Sequence, residues 1–440
     1  MTDPTPDDVD DPTAAEADAA PGEAAVEGVG DTAAEPEPVR RLYLHIGLPK
    51  SGSTFLQSVL GSNRATLREH GFSYPYVRQE GMFHAALEMA GNPDQWGVDR
   101  DEIEGTFDRL VRRGKRLGGD VVISHEIFSA ANGKQAKAIL DRLGDFEVHL
   151  VITVRNLAQT LTAQWQERVK NGHNVSFEEF ADDILAGLPD DVADYDDDMV
   201  GFWRGQNLLW VLKRWRRFVP PERVHLVITP PGGSGPDVLW RRFCEATGMP
   251  ADVVDVASTP RRNESLGVAQ IALLRRVLGE LDRIAEAEDD ALVQPWYAVV
   301  AKRWFAQSVL STARSAKPVA PAPVGERLEA VTRHWIEVVE RIGHPVHGDL
   351  AELFPTDVTA DTPHPDDVDD EEMFEGMPQV LARMLLHDRD VRVAVRELEA
   401  ERRTLTQERD RLAAEVADLN GTVEELQQRR RWPLPSRGRS

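Results

Sequence analysis

Cysteine is almost missing from this chain. Cys244 stands alone, which excludes an intrachain disulfide framework and the small stapled domains that depend on one. A buried thiol is its expected state. Long apolar runs are missing too: no stretch approaches the roughly 18 consecutive apolar residues of a membrane span. The start has neither the basic nor the apolar region of a secretory signal. These absences point to a soluble, cytoplasmic chain. Positive charge is absent from the first 39 residues, which hold twelve Asp or Glu and no Lys or Arg. A segment so acidic, and otherwise rich in Ala, Pro and Gly, has too little apolar surface to offset the entropy of ordering, so residues 1–39 read as a disordered acidic tail. The whole chain carries a formal charge of −24, which argues against a nucleic-acid partner.

What is present alternates between two periods. The 440 residues allow one large domain or two smaller ones. Short β-rich runs at residues 41–46, 121–124, 148–154 and 224–229 predict strands, and helical patterns lie between and after them, at 54–67, 207–218, 266–284, 296–309 and 331–342. Strands spaced by helices imply an α/β fold with a mostly parallel sheet covered on both faces. The globular part, residues 40–355, ends near Phe354; an Asp-rich, Pro-containing stretch opens a linker with a short helix over 356–390.

The last part has a seven-residue period. Val391, Leu398, Leu405, Leu412, Leu419 and Leu426 recur at that interval, with Val395, Val416 and Val423 at the companion seam positions, so residues 391–428 read as a coiled coil. Arg402 and Arg409 fall on the seam as well, which costs stability and restricts register or partner. A short dimeric coil fits better than a trimer, and a second copy of the chain is a candidate partner. Residues 429–440 form a small basic tail.

Gly47-Leu48-Pro49-Lys50-Ser51-Gly52-Ser53-Thr54 follows the first strand and opens a helix, the arrangement of a phosphate-binding loop. In the triphosphate-binding version the lysine follows the second glycine; Lys50 precedes it, inside the loop, where its reach suits a single phosphate with one transferable group. Amides of residues 51–54 at a helix N-terminus favour an anion, and the Ser53 and Thr54 hydroxyls add donors. The segment His45 to Leu56 resembles the 5′-phosphosulfate loop of sulfotransferases, and among them is most similar to the bacterial branch. That resemblance implies a nucleotide-kinase-like sulfotransferase fold. It also implies 3′-phosphoadenosine 5′-phosphosulfate (PAPS) as donor, held by Lys50, Ser51, Gly52, Ser53 and Thr54, with Lys50 assisting departure of the nucleotide phosphate.

The same resemblance implies that Arg155, which ends the strand at 148–154, binds the 3′-phosphate, with Thr162 as its hydroxyl partner. A structural ion pair is the competing role for Arg155. His125 and Glu126 follow the strand at 121–124 on the same sheet edge, and both suit general-base work; Glu126 is preferred and His125 is the first alternative. A metal-protease role fails because Ser129 stands where a second His would be needed, and no metal is expected.

Secondary candidates are His84, in an expected loop, and Arg261 and Arg262, which could close over the 3′-phosphate with Ser265 capping the next helix. His344 and His347 are read as loop residues. Residues 74–91 and 189–204 are the candidate acceptor loops, and Phe72, Tyr74, Tyr76 and Phe83 are aromatics available to stack on a sugar. The expected reaction moves a sulfuryl group to a hydroxyl or amine of a small-molecule or carbohydrate acceptor, the carbohydrate by family analogy. The competing functions are a small-molecule kinase with a variant phosphate loop and a non-catalytic coiled-coil scaffold.

Overall fold

Both inward and outward positions of the long strands are apolar, so the sheet needs a cover on each face. In the computed structural model, which describes residues 39–188, 201–259, 265–288, 297–354 and 362–430, six strands form one sheet. They are β1 (Arg41–His45), β2 (Phe72–Ser73), β3 (Asp120–Ser124), β4 (Glu147–Val154), β5 (Val224–Ile228) and β6 (Val346–His347), in the spatial order β2-β3-β1-β4-β5-β6. Every pairing is parallel. The chain passes from β1 to the edge strand β2, returns to place β3 between them, and then crosses to β4 on the other side of β1, so the crevice beyond the carboxyl ends of β1 and β4 is where such sheets bind ligands.

One sheet face presents Tyr43, Val122, Val151 and Val227 to a core shared with α1 (Ser53–Ser62) and helix Pro236–Thr247, which bring Leu56, Val59, Leu60, Trp240 and Phe243. Alternate residues Leu42, Leu44, Ile123, Leu150, Ile152 and Leu226 are equally buried on the other face. The four strands read from the sequence are all present, shifted at their ends by one residue. β2 and β6 were not legible: each has two residues, too few to carry a period. Cys244 is a buried free thiol, its ionisation pushed up to about 12 by burial.

Several helix boundaries differ from expectation. The helix expected at 54–67 is two: α1 ends at Ser62, and α2 spans Arg64–Glu69. Asn63 breaks them apart, its side-chain amide donating to the Val59 carbonyl at 2.8 Å. His84 and Phe83 lie in a helix, α3 (Gly81–Ala90), rather than a loop. Residues 297–309 form a wide π-helical turn, Tyr297–Val309.

His347 is a strand residue. It closes a row across β4, β5 and β6 in which His149 Nδ1 meets His225 Nε2 at 3.0 Å and His225 Nδ1 meets His347 Nε2 at 3.3 Å. His149 Nε2 faces Glu147 Oε1 at 3.1 Å. Because that carboxylate can only accept, His149 donates to it from Nε2.

The stretch expected to be linker is partly docked. Asp366 accepts the amides of Phe177 and Glu178 at 2.9 and 3.0 Å and pairs with Arg275 at 2.8 Å, and a short helix follows at Asp370–Glu375. The compact unit that holds the sheet extends to Met377. The last helix, Met377–Arg430, starts well before the heptads do and belongs beyond that point to a second unit. Among the described residues no helix is long and apolar enough to cross a membrane. The acidic tail through residue 38 and the basic tail from residue 431 lie outside the described residues.

Gly47 has φ +27°, and a Cβ there would sit 2.7 Å from Thr153 Oγ1 and 3.1 Å from His45 Nε2. Gly47→Ala is therefore expected to cost about 2–4 kcal/mol through strain and displaced polar groups. A urea-unfolding midpoint that does not move would contradict this.

Candidate active site

The loop after β1 is built by tying its carbonyls backward. Leu48 O accepts from the Ser51 amide at 3.2 Å and from the Ser51 hydroxyl. Pro49 O accepts from Gln206 Nε2 at 2.6 Å, Lys50 O from Arg155 Nη1 at 3.4 Å, and Ser51 O from Thr229 Oγ1 at 2.6 Å. Gly52 O takes the amides of Phe55 and Leu56. With five successive carbonyls engaged, the amides of Gly52, Ser53 and Thr54 are the open side of the loop, and none of them bonds to a described residue. No side chain caps α1, and its first turn holds no acid, so its positive end is uncompensated.

Beneath the loop lies a buried polar relay. His45 Nδ1 meets Ser124 Oγ at 2.7 Å, His45 Nε2 meets Thr153 Oγ1 at 3.2 Å, and Thr153 Oγ1 meets Ser51 Oγ at 2.6 Å. Leu48 O can only accept, so Ser51 donates to it, Thr153 donates to Ser51, His45 donates from Nε2 to Thr153, and Ser124 donates to His45 Nδ1. That order fixes a proton on Nε2, and in the neutral ring Nδ1 accepts from Ser124. Burial lowers the His45 pKa to about 4, with Glu126 opposing and His125 assisting.

Lys50 sits at the crest with φ +65°; it and Glu80, at φ +56°, are the two non-glycine residues with left-handed backbones among those described. Its Nζ pairs with Glu167 Oε2 at 2.8 Å. Glu167 also meets Lys170 at 3.5 Å and Lys302. Burial pushes this carboxyl up, but Lys50, Lys170 and Lys302 outweigh it and hold the group well below the usual carboxylate range. Glu167, Lys170 and Lys302 were not singled out in the sequence. A carboxylate in a helix beside a lysine three residues on is an ordinary surface pair there, and Lys302 comes from a distant element.

Arg155 leaves the end of β4, partly buried, and makes no ion pair with any acid among the described residues. Its side-chain partner is Gln159, through Nε to Oε1 at 3.1 Å. The Thr162 hydroxyl donates instead to Gln159 O at 3.0 Å, so the expected Arg155–Thr162 pairing is not formed. The competing structural ion-pair role for Arg155 has no partner to support it; burial lowers its pKa, the direction that an added anion would reverse.

Glu126 stands beside the loop, its Oε2 taking Gln57 Nε2 at 3.2 Å. Burial raises its pKa, but His125, its own amide, Ser53 and Gln57 together hold it below the usual range, so it is ionised at neutral pH. His125 Nδ1 accepts the Ile127 amide at 3.2 Å. That bond fixes the proton of the neutral ring on Nε2, and burial keeps the ring neutral. His125 Nε2–H is thus left as a donor, while Glu126 is the acceptor.

Phe83 packs near both His125 and Trp96, at ring separations of 5.5 and 5.7 Å. Next to it, His84 Nδ1 is buried without a hydrogen-bond partner among the described residues, as are Nε and Nη2 of Arg78. Of the aromatics considered for a sugar, Tyr74 is core, and Arg64 lies over the Tyr74 and Tyr76 rings at 5.4 and 4.9 Å. Arg261, Arg262 and the acceptor-loop residues 189–200 lie outside the described residues; Ser265 does not cap the next helix, which begins at Val268. Among the described residues no group of three or more His, Cys, Asp or Glu is arranged to hold a metal.

No protein-family model matches the chain, and no curated protein matches it. Two solved structures are similar to it at low identity. A sulfotransferase from Alicyclobacillus acidocaldarius is 16% identical over 58% of this chain and 98% of its own, at a TM-score of 0.33. The sulfotransferase domain from the curacin biosynthetic pathway is 11% identical over 59% of this chain and 100% of its own, at 0.26. Likenesses so distant add nothing to what the residues themselves carry.

Protonating His45 turns the Ser124 bond around and places a charge in a fully buried position. Its native pKa, about 4, lies below the ordinary 6.5, so its contribution to stability is complete above pH 6.5 and is lost as pH falls from there to about 4. A loss of about 3 kcal/mol across that window is expected from this group alone. Long-range imidazole NMR should show His45 neutral, with its proton on Nε2, at pH 5; a neutral ring with its proton on Nδ1 would refute the relay.

Proposed function

We propose that this chain is a sulfotransferase that uses PAPS as donor. The observation that carries the reading is the pairing of an uncapped helix N-terminus, with the carbonyls of residues 48–52 engaged, with an Arg155 guanidinium that touches the same loop and pairs with no acid among the described residues. An anion site at the helix start and a second cation at Arg155 suit a nucleotide with a 5′-phosphosulfate and a 3′-phosphate. Lys50, lying before rather than after Gly52, suits the shorter 5′ group and counts against a triphosphate-using kinase.

In the proposed reaction the acceptor oxygen or nitrogen bonds to sulfur as the bond from sulfur to the bridging oxygen breaks. The electron pair leaves with the nucleotide phosphate, and the acceptor's proton passes to Glu126. Lys50 and the amides of residues 52–54 neutralise charge gathering on the leaving phosphate, and electrostatic positioning supplies most of the rate. A carboxylate with a lowered pKa is a weak base, so Glu126 takes the proton as the new bond forms rather than before it. His125, through Nε2–H, is a hydrogen-bond donor for the acceptor. A carbohydrate acceptor rests on analogy; Arg78 and His84 supply polar groups on that side.

Calorimetric titration tests the donor. Adenosine 3′,5′-bisphosphate should bind in preference to ATP with Mg²⁺, and Lys50→Ala and Arg155→Ala should each weaken it about 10–100-fold. Preference for ATP would favour the kinase, and no binding at all the scaffold.

The helix Met377–Arg430 is proposed to pair with a second copy of itself. Leu398, Leu405, Leu412, Leu419 and Leu426 are exposed along one stripe with Val395, Val416 and Val423. Valine at the first seam position and leucine at the second favour two strands. Each seam arginine follows a glutamate, Glu401 before Arg402 and Glu408 before Arg409. In a parallel, in-register pair each arginine lies beside the partner's glutamate, whereas an antiparallel pair sets it against leucine. Sedimentation should give a dimer that Leu405→Glu with Leu412→Glu converts to monomer; a monomeric wild type would rule the pairing out.

A further inference from the structure

Glu167 stands at the centre of a cluster that the proposed reaction leaves without a task. Its Oε2 takes Lys50 from the loop at 2.8 Å and Lys170 from one turn along its own helix, Leu157–Lys170, at 3.5 Å. Its Oε1 takes Lys302 from the π-helical segment Tyr297–Val309. No other acid among the described residues pairs with any of the three lysines. Three ammonium groups bring nine N–H donors to a single carboxylate, and two positive charges stay uncompensated. The place is poorly solvated: the Lys170 side chain is 7% exposed and that of Glu167 is 20%. Burial presses Lys170 below its usual pKa, ahead of the opposing pull of Glu167. Holding surplus cations away from water is costly unless a further anion joins them.

The geometry indicates which anion. Lys50 and Lys302 straddle the two oxygens of Glu167, one on each. The oxygen–oxygen edge of a carboxylate is close to that of a sulfuryl or phosphoryl group, so two lysines spaced for one are spaced for the other. Arg303, the next residue, lies 3.9 Å from Glu80, which precedes α3 and stands one turn before His84. The segment carrying Lys302 therefore runs from the donor loop toward the side of the cleft where His125 and Phe83 meet.

We infer that Glu167 occupies, in the free protein, the place on Lys50 and Lys302 that the transferred sulfuryl group takes when the donor binds, making Lys302 a second cation on that group and Glu167 its competitor. The inference rests on the sulfotransferase reading. Once displaced, Glu167 keeps Lys170 as its partner, so the carboxylate is not left unpaired. The exchange substitutes one anion for another on preformed donors, which keeps the lysines oriented before the donor arrives.

Two nucleotides that differ in the sulfuryl group separate this from general anion attraction. The full chain is titrated calorimetrically with PAPS and, separately, with adenosine 3′,5′-bisphosphate, as wild type, Lys302→Met, Lys302→Arg and Glu167→Gln, with thermal melts as the folding control. Lys302→Met should weaken PAPS about tenfold and the bisphosphate less than about threefold, and Lys302→Arg should recover most of the loss. Glu167→Gln should tighten PAPS severalfold. Equal losses on the two ligands in Lys302→Met, no loss at all, or weaker PAPS binding in a folded Glu167→Gln would overturn the inference and leave the sulfotransferase reading standing. A wild type that binds neither nucleotide overturns the reading and the inference together. The Lys302 variants decide the matter alone if Glu167→Gln does not fold.

Discussion

The relay from Ser124 through His45 and Thr153 to Ser51 is the constraint on which the site depends. It joins the ends of β3, β1 and β4, the three central strands, and delivers a hydroxyl to Leu48 O at the start of the loop. Because every hydroxyl has one proton, the anchor at a carbonyl fixes the direction of the whole chain of bonds and the tautomer of the buried ring. A fully satisfied polar network in a low-dielectric interior is stiff, and a broken one is costly. Loop geometry is thereby coupled to the sheet rather than to solvent. Gly47 follows from it, since the relay occupies the space that a side chain there would need.

With the carbonyls turned inward, the electrostatics of the cleft follow. The chain as a whole is strongly acidic, yet the loop region gathers Lys50, Lys170 and Lys302 around Glu167, with Arg155 on the Lys50 carbonyl. Local charge, not net charge, decides what binds, because half-buried groups are screened less than exposed ones. The two left-handed non-glycine residues, Lys50 and Glu80, each belong to this region, one at the loop crest and one before α3. Such conformations cost energy and persist where neighbours hold them, here through Arg155 and Gln206 on the loop carbonyls.

The last helix is governed by a different physics. Its apolar stripe is exposed and repeats every seven residues, the pattern that the proposed pairing would cover. In the proposed pair the seam arginines would weaken that stripe while restricting which register is satisfied, the familiar exchange of stability for specificity in coiled coils.

Much of this was legible in the sequence. Four strands, the loop and the heptads announce themselves through local period and through glycines, and Lys50, Arg155, His125 and Glu126 follow directly from standing at strand ends. Of the two bases that the sequence offered, Glu126 was preferred and His125 was the alternative; the Ile127 amide on His125 Nδ1 leaves that neutral ring a donor at Nε2. Thr162 was matched to Arg155 by spacing along a helix, but a hydroxyl three residues from a free carbonyl bonds backward, and Gln159 has the reach that Thr162 lacks. His84 lay in a segment whose glycine suggested a loop, whereas Gly81 opens a helix. The sequence by itself determined the strand-loop-helix and the lysine within it, because backbone sterics and hydrophobic period act over a few residues. The tertiary structure alone decided that Lys302 meets Lys50 on Glu167, that His347 joins a row of histidines, and that Ser51 is tied to Ser124, because these contacts join residues 73 or more apart in sequence and only packing of the sheet and its helices brings them together.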